Sequence, residues 1–351
     1  MTGPGAWLGS IRERLGPRGG ALVVIVALLV ATVVPLVSLP AVRCAVFGSG
    51  CAGTVPPPRD EPDSARRTPL TPLEAATHGG YVALGDSYSS GEGAYVLAAD
   101  RAVVNRCHRT SQSYVHVVTR AFKFARGAAF WACSGATASS VLKRRFGEPP
   151  QVERVGAGTS LVTISIGGND VGFSRVLARC VIRLPWTGDC QAQGGEIATR
   201  MAGLRLSLAR VLDEVTSRGP SARVVVLGYP RLFSEIRGEG LDNIGIGDQR
   251  WLNARARELN EVIRQTARDA DERIVAERGR GSVEFVDAYS GFAGHEVGSA
   301  DPYVHGLDVD LMELRAKAHS FHPTAAGYRR LAELVTRQVG AGPGRPLNQY
   351  H

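Results

Sequence analysis

The chain has 351 residues, 44% of them hydrophobic and 21% charged, and its 42 glycines follow no collagen period. This excludes a disordered chain, a multi-span membrane protein and a fibrous repeat, and leaves an ordinary globular domain. The 41 basic residues exceed the 33 acidic ones, but lysine occurs only at 123, 143 and 317. With no zinc-finger spacing, RNA-binding motif or basic helix beside it, this charge reads as a cationic soluble surface and not as a nucleic-acid site.

In chain order, residues 1–18 carry Arg12, Arg14 and Arg18 and precede the uncharged stretch 19–42. That stretch is long enough to span a bilayer, and the arginine flank puts residues 1–18 in the cytoplasm and the rest outside. The reading is a transmembrane signal-anchor, with a long, cleaved signal peptide and a secreted protein as the alternative. Residues 43–78, with Pro56, Pro57, Pro58, Pro62, Pro69 and Pro72, read as an extended extracytoplasmic linker. A catalytic domain is expected over 79–341 and a short C-terminal tail over 342–351.

Cys44, Cys51, Cys107, Cys133, Cys180 and Cys190 all follow the expected membrane exit. An even count in that compartment favours disulfides, and no Cys-x-x-Cys suggests zinc. The count leaves connectivity open; proximity in sequence suggests 44 with 51, 107 with 133, and 180 with 190. Arg106-Cys107-His108-Arg109 then reads as a disulfide-tethered loop.

Short apolar runs ending in turn residues predict strands at 81–86, 160–166, 223–230 and 282–287. Between and after them, apolar spacings of three and four predict helices over 196–217, about 248–278, and 323–339, the last opening on Pro323. Alternating strands and helices imply an α/β fold whose mainly parallel sheet is covered on both faces. Reactive residues in such folds collect at the carboxyl ends of strands. The stretches 172–195 and 231–250 read as loops.

Those ends carry Gly85-Asp86-Ser87-Tyr88-Ser89 and Gly167-Gly168-Asn169-Asp170, while Ser320-Phe321-His322-Pro323 precedes the last helix. Singly, each is ordinary turn or cap chemistry. Together they contain a serine, an imidazole able to take its proton, and donors for a developing oxyanion: the Ser87 N–H, a glycine N–H and the Asn169 amide.

In these residues the chain resembles the SGNH or GDSL hydrolases. Gly85-Asp86-Ser87-Tyr88-Ser89 matches the first motif block, Cys133-Ser134-Gly135-Ala136-Thr137 the second, Gly167-Gly168-Asn169-Asp170 the third and His322-Pro323 the last, in the family's order. Gly91-Glu92-Gly93, Gly228-Tyr229-Pro230 and Phe292 to Glu296 look like its secreted actinobacterial esterase and lipase branch. The resemblance implies a three-layer α/β/α fold and no metal or organic cofactor. It implies Ser87 as nucleophile, His322 as general base, and Ser87, Gly135 and Asn169 as the oxyanion hole.

One departure stands out: the family's aspartate three residues before the histidine is His319 here. Some members resemble this chain in orienting the imidazole with a backbone carbonyl, so the His319 main-chain oxygen is expected to do so, with Asp287 or Glu296 as substitutes. His319 and His322 are not expected to bind metal, because Pro323 starts a helix after them and no acidic or cysteine cluster adjoins them. The expectation is a monomeric serine esterase or lipase acting on a lipid or small acyl ester, held to the membrane by its N-terminal helix. The alternatives are an envelope glycan or lipid acyltransferase or deacylase using the same site, and a binding protein that has lost catalysis.

Overall fold

The computed structural model describes Leu28 and residues 68–95, 106–181, 189–236, 244–310 and 315–351. The chain separates into two units, Met1–Arg66 and Arg67–His351, and every element below belongs to the second. The expected membrane span, Leu28 apart, lies outside the described residues, as do Cys44 and Cys51. Among the described residues no helix is long and apolar enough to cross a membrane.

The elements run α1 (Pro72–Thr77), β1 (Gly80–Gly85), α2 (Ser87–Ser90), α3 (Tyr114–Ala121), β2 (Ala128–Phe130), α4 (Ala138–Val141), β3 (Thr159–Ser165), α5 (Phe173–Val181), α6 (Gly194–Arg218), β4 (Arg223–Leu227), α7 (Ile246–Ala276), β5 (Ser282–Val286), α8 (Ala288–Gly291), β6 (Val309–Asp310), β7 (Arg315–Ala316) and α9 (Ala325–Ala341). Five strands form one parallel sheet in the order β2-β1-β3-β4-β5, and β6 pairs antiparallel with β7. Every residue of β3 and β4 is buried, as expected for near-continuous apolar strands covered on both faces.

The connection from β1 to β2 runs one way along the sheet, and the connections from β2 through β5 run the other. Right-handed crossovers therefore put α3 on one face and α4, α6 and α7 on the opposite one. The packing agrees, with α6 against α7, and α9 against α3 and α1. The α6 residues Ile197, Met201, Leu204, Leu208, Val211, Leu212 and Val215, picked out by their spacing, are all buried.

The predicted linker and tail boundaries are corrected. Residues 72–77 form α1, whose Thr71 and Glu74 make a capping box and whose Ala75 and Ala76 are buried. The tail returns beside it: the Leu70 N–H donates to the Gln349 carbonyl at 2.9 Å, and the His351 N–H to the Thr68 carbonyl at 3.1 Å. Both stretches belong to the domain: α1 packs against β1, β3 and α9, and Gln349 donates to the Ser221 and Arg280 carbonyls ahead of β4 and β5, contacts that proline content does not encode.

Three further differences have local causes. Strand β2 is only three residues long, too short for a period. Helix α5 lies within a predicted loop, with Val176, Leu177, Cys180 and Val181 on its buried face. Pro323 precedes the last helix, which Thr324 caps by accepting the Gly327 N–H. Cys107 pairs with Cys133 and Cys180 with Cys190.

Candidate active site

Three strand ends and the approach to α9 converge. At the end of β1, Gly85 has φ +124°, and a Cβ there would stand 2.5 Å from the Ser165 carbonyl oxygen, so only glycine makes the turn. Asp86 then caps α2 by accepting the Tyr88 N–H at 3.0 Å, which leaves Ser87 as the first helical residue.

Ser87 Oγ lies 2.8 Å from His322 Nε2. On the other side of the ring, His322 Nδ1 lies 3.1 Å from the Ser320 carbonyl oxygen. A carbonyl can only accept, so Nδ1 carries the hydrogen, and Nε2 is left as the acceptor facing Ser87. Burial lowers the His322 pKa below its ordinary 6.5, against an upward push from Glu92 and the Ser320 carbonyl. The neutral, proton-accepting form is thereby favoured.

The carbonyl on the imidazole is thus Ser320's and not that of His319, which corrects the sequence reading. His322 N–H closes a turn onto the His319 carbonyl at 3.0 Å, and Phe321 sits at φ +61° within it. That turn uses the His319 oxygen and leaves the next carbonyl for the ring. The His319 side chain reaches Asp308 instead, at 3.0 Å. Neither proposed carboxylate substitute lies on His322: Glu296 pairs with Arg231 at 3.2 Å, and Asp287 caps α8.

Asn169 follows β3 and donates from Nδ2 to the Ala136 carbonyl at 2.9 Å, leaving its second amide hydrogen without a partner among the described residues. Asp170 accepts the Ala138 N–H at 3.0 Å, so the third motif block grips the second through Asn169 and the residue that follows it through Asp170. Gly135 occupies that second block at φ +72°, beside the Cys107–Cys133 disulfide. The Ser87 and Gly135 N–H groups donate to no other group among the described residues.

Ser87, Asn169 and His322 line one cavity of about 220 Å³; Gly135 is not among its lining residues. The cavity continues between α5 and α7 past Phe173, Leu177, Leu232 and Leu259 and under Leu307. Apolar surface dominates it. Among the described residues no group of three potential metal ligands occurs.

The GDSL-like lipase/acylhydrolase family matches residues 83–330. The chain belongs to that family. It is 35% identical over 257 residues to a lipase of Streptomyces rimosus, covering 70% of this chain and 81% of that one. Among solved structures it is similar to phospholipase A1 from Streptomyces albidoflavus NA297, with 33% identity, a TM-score of 0.62, and 74% of this chain and 99% of that one covered. The extracellular lipase from Streptomyces rimosus gives 31% identity, a TM-score of 0.61 and the same coverage. As a member of this family the protein is an ester-hydrolysing enzyme.

This GDSL-like hydrolase also holds site residues that sequence reasoning did not single out. Asp86 is buried, and burial raises its carboxyl to about 6 against the hydrogen bonds that favour its charge. Tyr328 donates to the carbonyls of Ser87 and Glu92, at 3.1 and 2.9 Å. Asp86 stood inside the first motif block, where its strand-end position was the available signal. Tyr328 carried none, since its partners lie more than two hundred residues earlier.

Proposed function

We propose that the protein is an extracytoplasmic serine esterase or lipase that cleaves acyl esters through an acyl-enzyme on Ser87. The observation that carries this reading is the 2.8 Å contact between Ser87 Oγ and His322 Nε2, with Nδ1 held by the Ser320 carbonyl. As Ser87 Oγ bonds to the ester carbon, His322 Nε2 takes its proton. The carbonyl oxygen becomes an anion that accepts hydrogen bonds from the Ser87 and Gly135 N–H groups and the free Asn169 amide hydrogen. The intermediate collapses, the alcohol leaves with the proton from His322, and Ser87 is acylated. Water then repeats the sequence, giving its proton to His322 and releasing the acid as Ser87 recovers its hydrogen.

The Ser320 carbonyl fixes the tautomer and offsets part of the imidazolium charge without a full negative charge, so the pair works as a dyad. The acyl chain lies between α5 and α7, where Phe173, Leu177 and Leu259 face it. Two disulfides favour an oxidising compartment, in keeping with an extracellular relative. The uncharged stretch 19–42 tethers the enzyme to the membrane, or releases it if cleaved.

The test is hydrolysis of p-nitrophenyl esters by the purified chain and by Ser87→Ala and His322→Ala. Loss of turnover in both is expected; full activity in Ser87→Ala overturns the reading.

A further inference from the structure

We propose that Tyr229, two residues beyond β4, is a positioning residue that holds the Asn169 loop in its oxyanion-binding geometry by linking it to the buried carboxylate beside Ser87. The inference rests on the serine-hydrolase reading above and adds a residue to it.

The Tyr229 hydroxyl joins two elements of the site. It donates to Asp86 Oδ2 and accepts the Gly168 N–H at 2.8 Å. Asp86 is the residue that caps the nucleophile's helix, and it also accepts from Ser165 Oγ at 2.9 Å. Gly168 immediately precedes Asn169, and its carbonyl accepts the Phe173 N–H at 3.0 Å. Both backbone polar groups of Gly168 are thus tied, and the phenol is the tie on the nucleophile's side.

Tyr229 is itself held rigidly. Asn260, on α7, accepts the Tyr229 N–H at 2.7 Å and donates to its carbonyl at 2.8 Å, so one amide grips both backbone groups. The Tyr88 ring meets the Tyr229 ring edge-on at 5.0 Å between centroids. A Cβ on Gly168 would lie 3.0 Å from Tyr229 Cζ, so the loop runs flat against the ring. Tyr229 and Asp86 are buried, and both border the cavity at Ser87.

A group that only filled space would lose little when its hydroxyl is removed. A positioning group loses transition-state stabilisation, because the Asn169 amide drifts from where the oxyanion forms while the acyl pocket stays intact. Burial raises the Asp86 carboxyl to about 6, still below neutral pH, so the phenol donates to a mainly ionised carboxylate there.

The test compares Tyr229→Phe with the wild-type chain in p-nitrophenyl butyrate hydrolysis and in inhibition by an alkyl trifluoromethyl ketone, which Ser87 adds to as a tetrahedral anion. Expected are a kcat lower by roughly 10- to 100-fold, a KM within about threefold, and ketone affinity weakened by the same factor as kcat/KM. A folded Tyr229→Phe with wild-type kcat, or with reduced kcat and unchanged ketone affinity, overturns the proposal. Should Tyr229→Phe fail to fold, Asp86→Asn is measured in the same way and judged by the same outcomes. Ser87→Ala runs in parallel: turnover without the serine overturns the hydrolase reading itself, whereas an inactive Ser87→Ala beside a fully active Tyr229→Phe overturns this inference alone.

Discussion

Tyr88, the neighbour of Ser87, donates its hydroxyl at 2.6 Å to the carbonyl of Phe321, the neighbour of His322. This bond spans 233 residues of sequence and clasps together the two segments that bring Ser87 and His322 into contact. Burial raises the Tyr88 pKa, so its hydroxyl stays a donor at physiological pH.

Tyr88→Phe keeps the ring and deletes the clasp. We expect a stability loss of about 1 kcal/mol, the usual worth of one such hydrogen bond. We expect kcat to fall about tenfold as the Ser87–His322 alignment loosens. Urea denaturation and steady-state kinetics check both; wild-type kcat would show that the clasp is dispensable.

The pH profile follows from His322. A protonated imidazole cannot take the Ser87 proton, so activity falls as pH drops through its pKa. Desolvation, with help from His305 and His319, pulls that pKa below 6.5 and outweighs Glu92 and the Ser320 carbonyl. The acid limb of kcat/KM is therefore expected at a midpoint below 6.5. Asp86 titrates near 6 in the same window, so the profile is recorded for Asp86→Asn too. A limb that keeps its midpoint there belongs to His322, and a wild-type midpoint above 6.5 contradicts the assignment.

At the opposite end of the strands, Arg223 is buried at the start of β4 and meets Glu284 through two bonds of 2.8 and 2.7 Å. It also donates to the carbonyls of Pro72 and Val339, each at 2.6 Å. Arg223→Met strands the Glu284 carboxylate without its counter-ion and unties α1 from the end of α9. A destabilisation of about 3–5 kcal/mol is expected. The activity of the molecules that remain folded should be unchanged, since Ser87 lies beyond the far end of the sheet. A urea midpoint within error of the wild type would refute the account.

Ala178, on α5, lines the cavity that leads from Ser87. Ala178→Phe fills part of that space. The ratio of kcat/KM for a dodecanoate ester to that for a butyrate ester should drop by about tenfold or more, since lost chain burial costs on the order of 1–3 kcal/mol per excluded group. An unchanged ratio would place the acyl chain elsewhere.

The strands β1, β3, β4 and β5 were legible because each is a short apolar run closed by turn residues, and α6 because its apolar spacing is unambiguous. The strand ends also announced Ser87 and Asn169, since glycines that permit tight turns stand beside them. Helix α5 was missed although its buried residues recur at helical spacing, because nine residues give that pattern little length. Edge strand β2, with three residues, offered no period at all.

The sequence by itself determined the alternation of strands and helices and the candidates for nucleophile and base, because apolar period and turn chemistry are properties of neighbouring residues. Only the tertiary structure decided that Ser320 and not His319 presents its carbonyl to the imidazole, that residues 68–78 and the tail close the domain, and that Tyr229 bridges Asp86 to Gly168. Those outcomes depend on which way a carbonyl points just before a left-handed residue, and on groups brought together from distant strands. Folding sets such relations, which no local pattern contains.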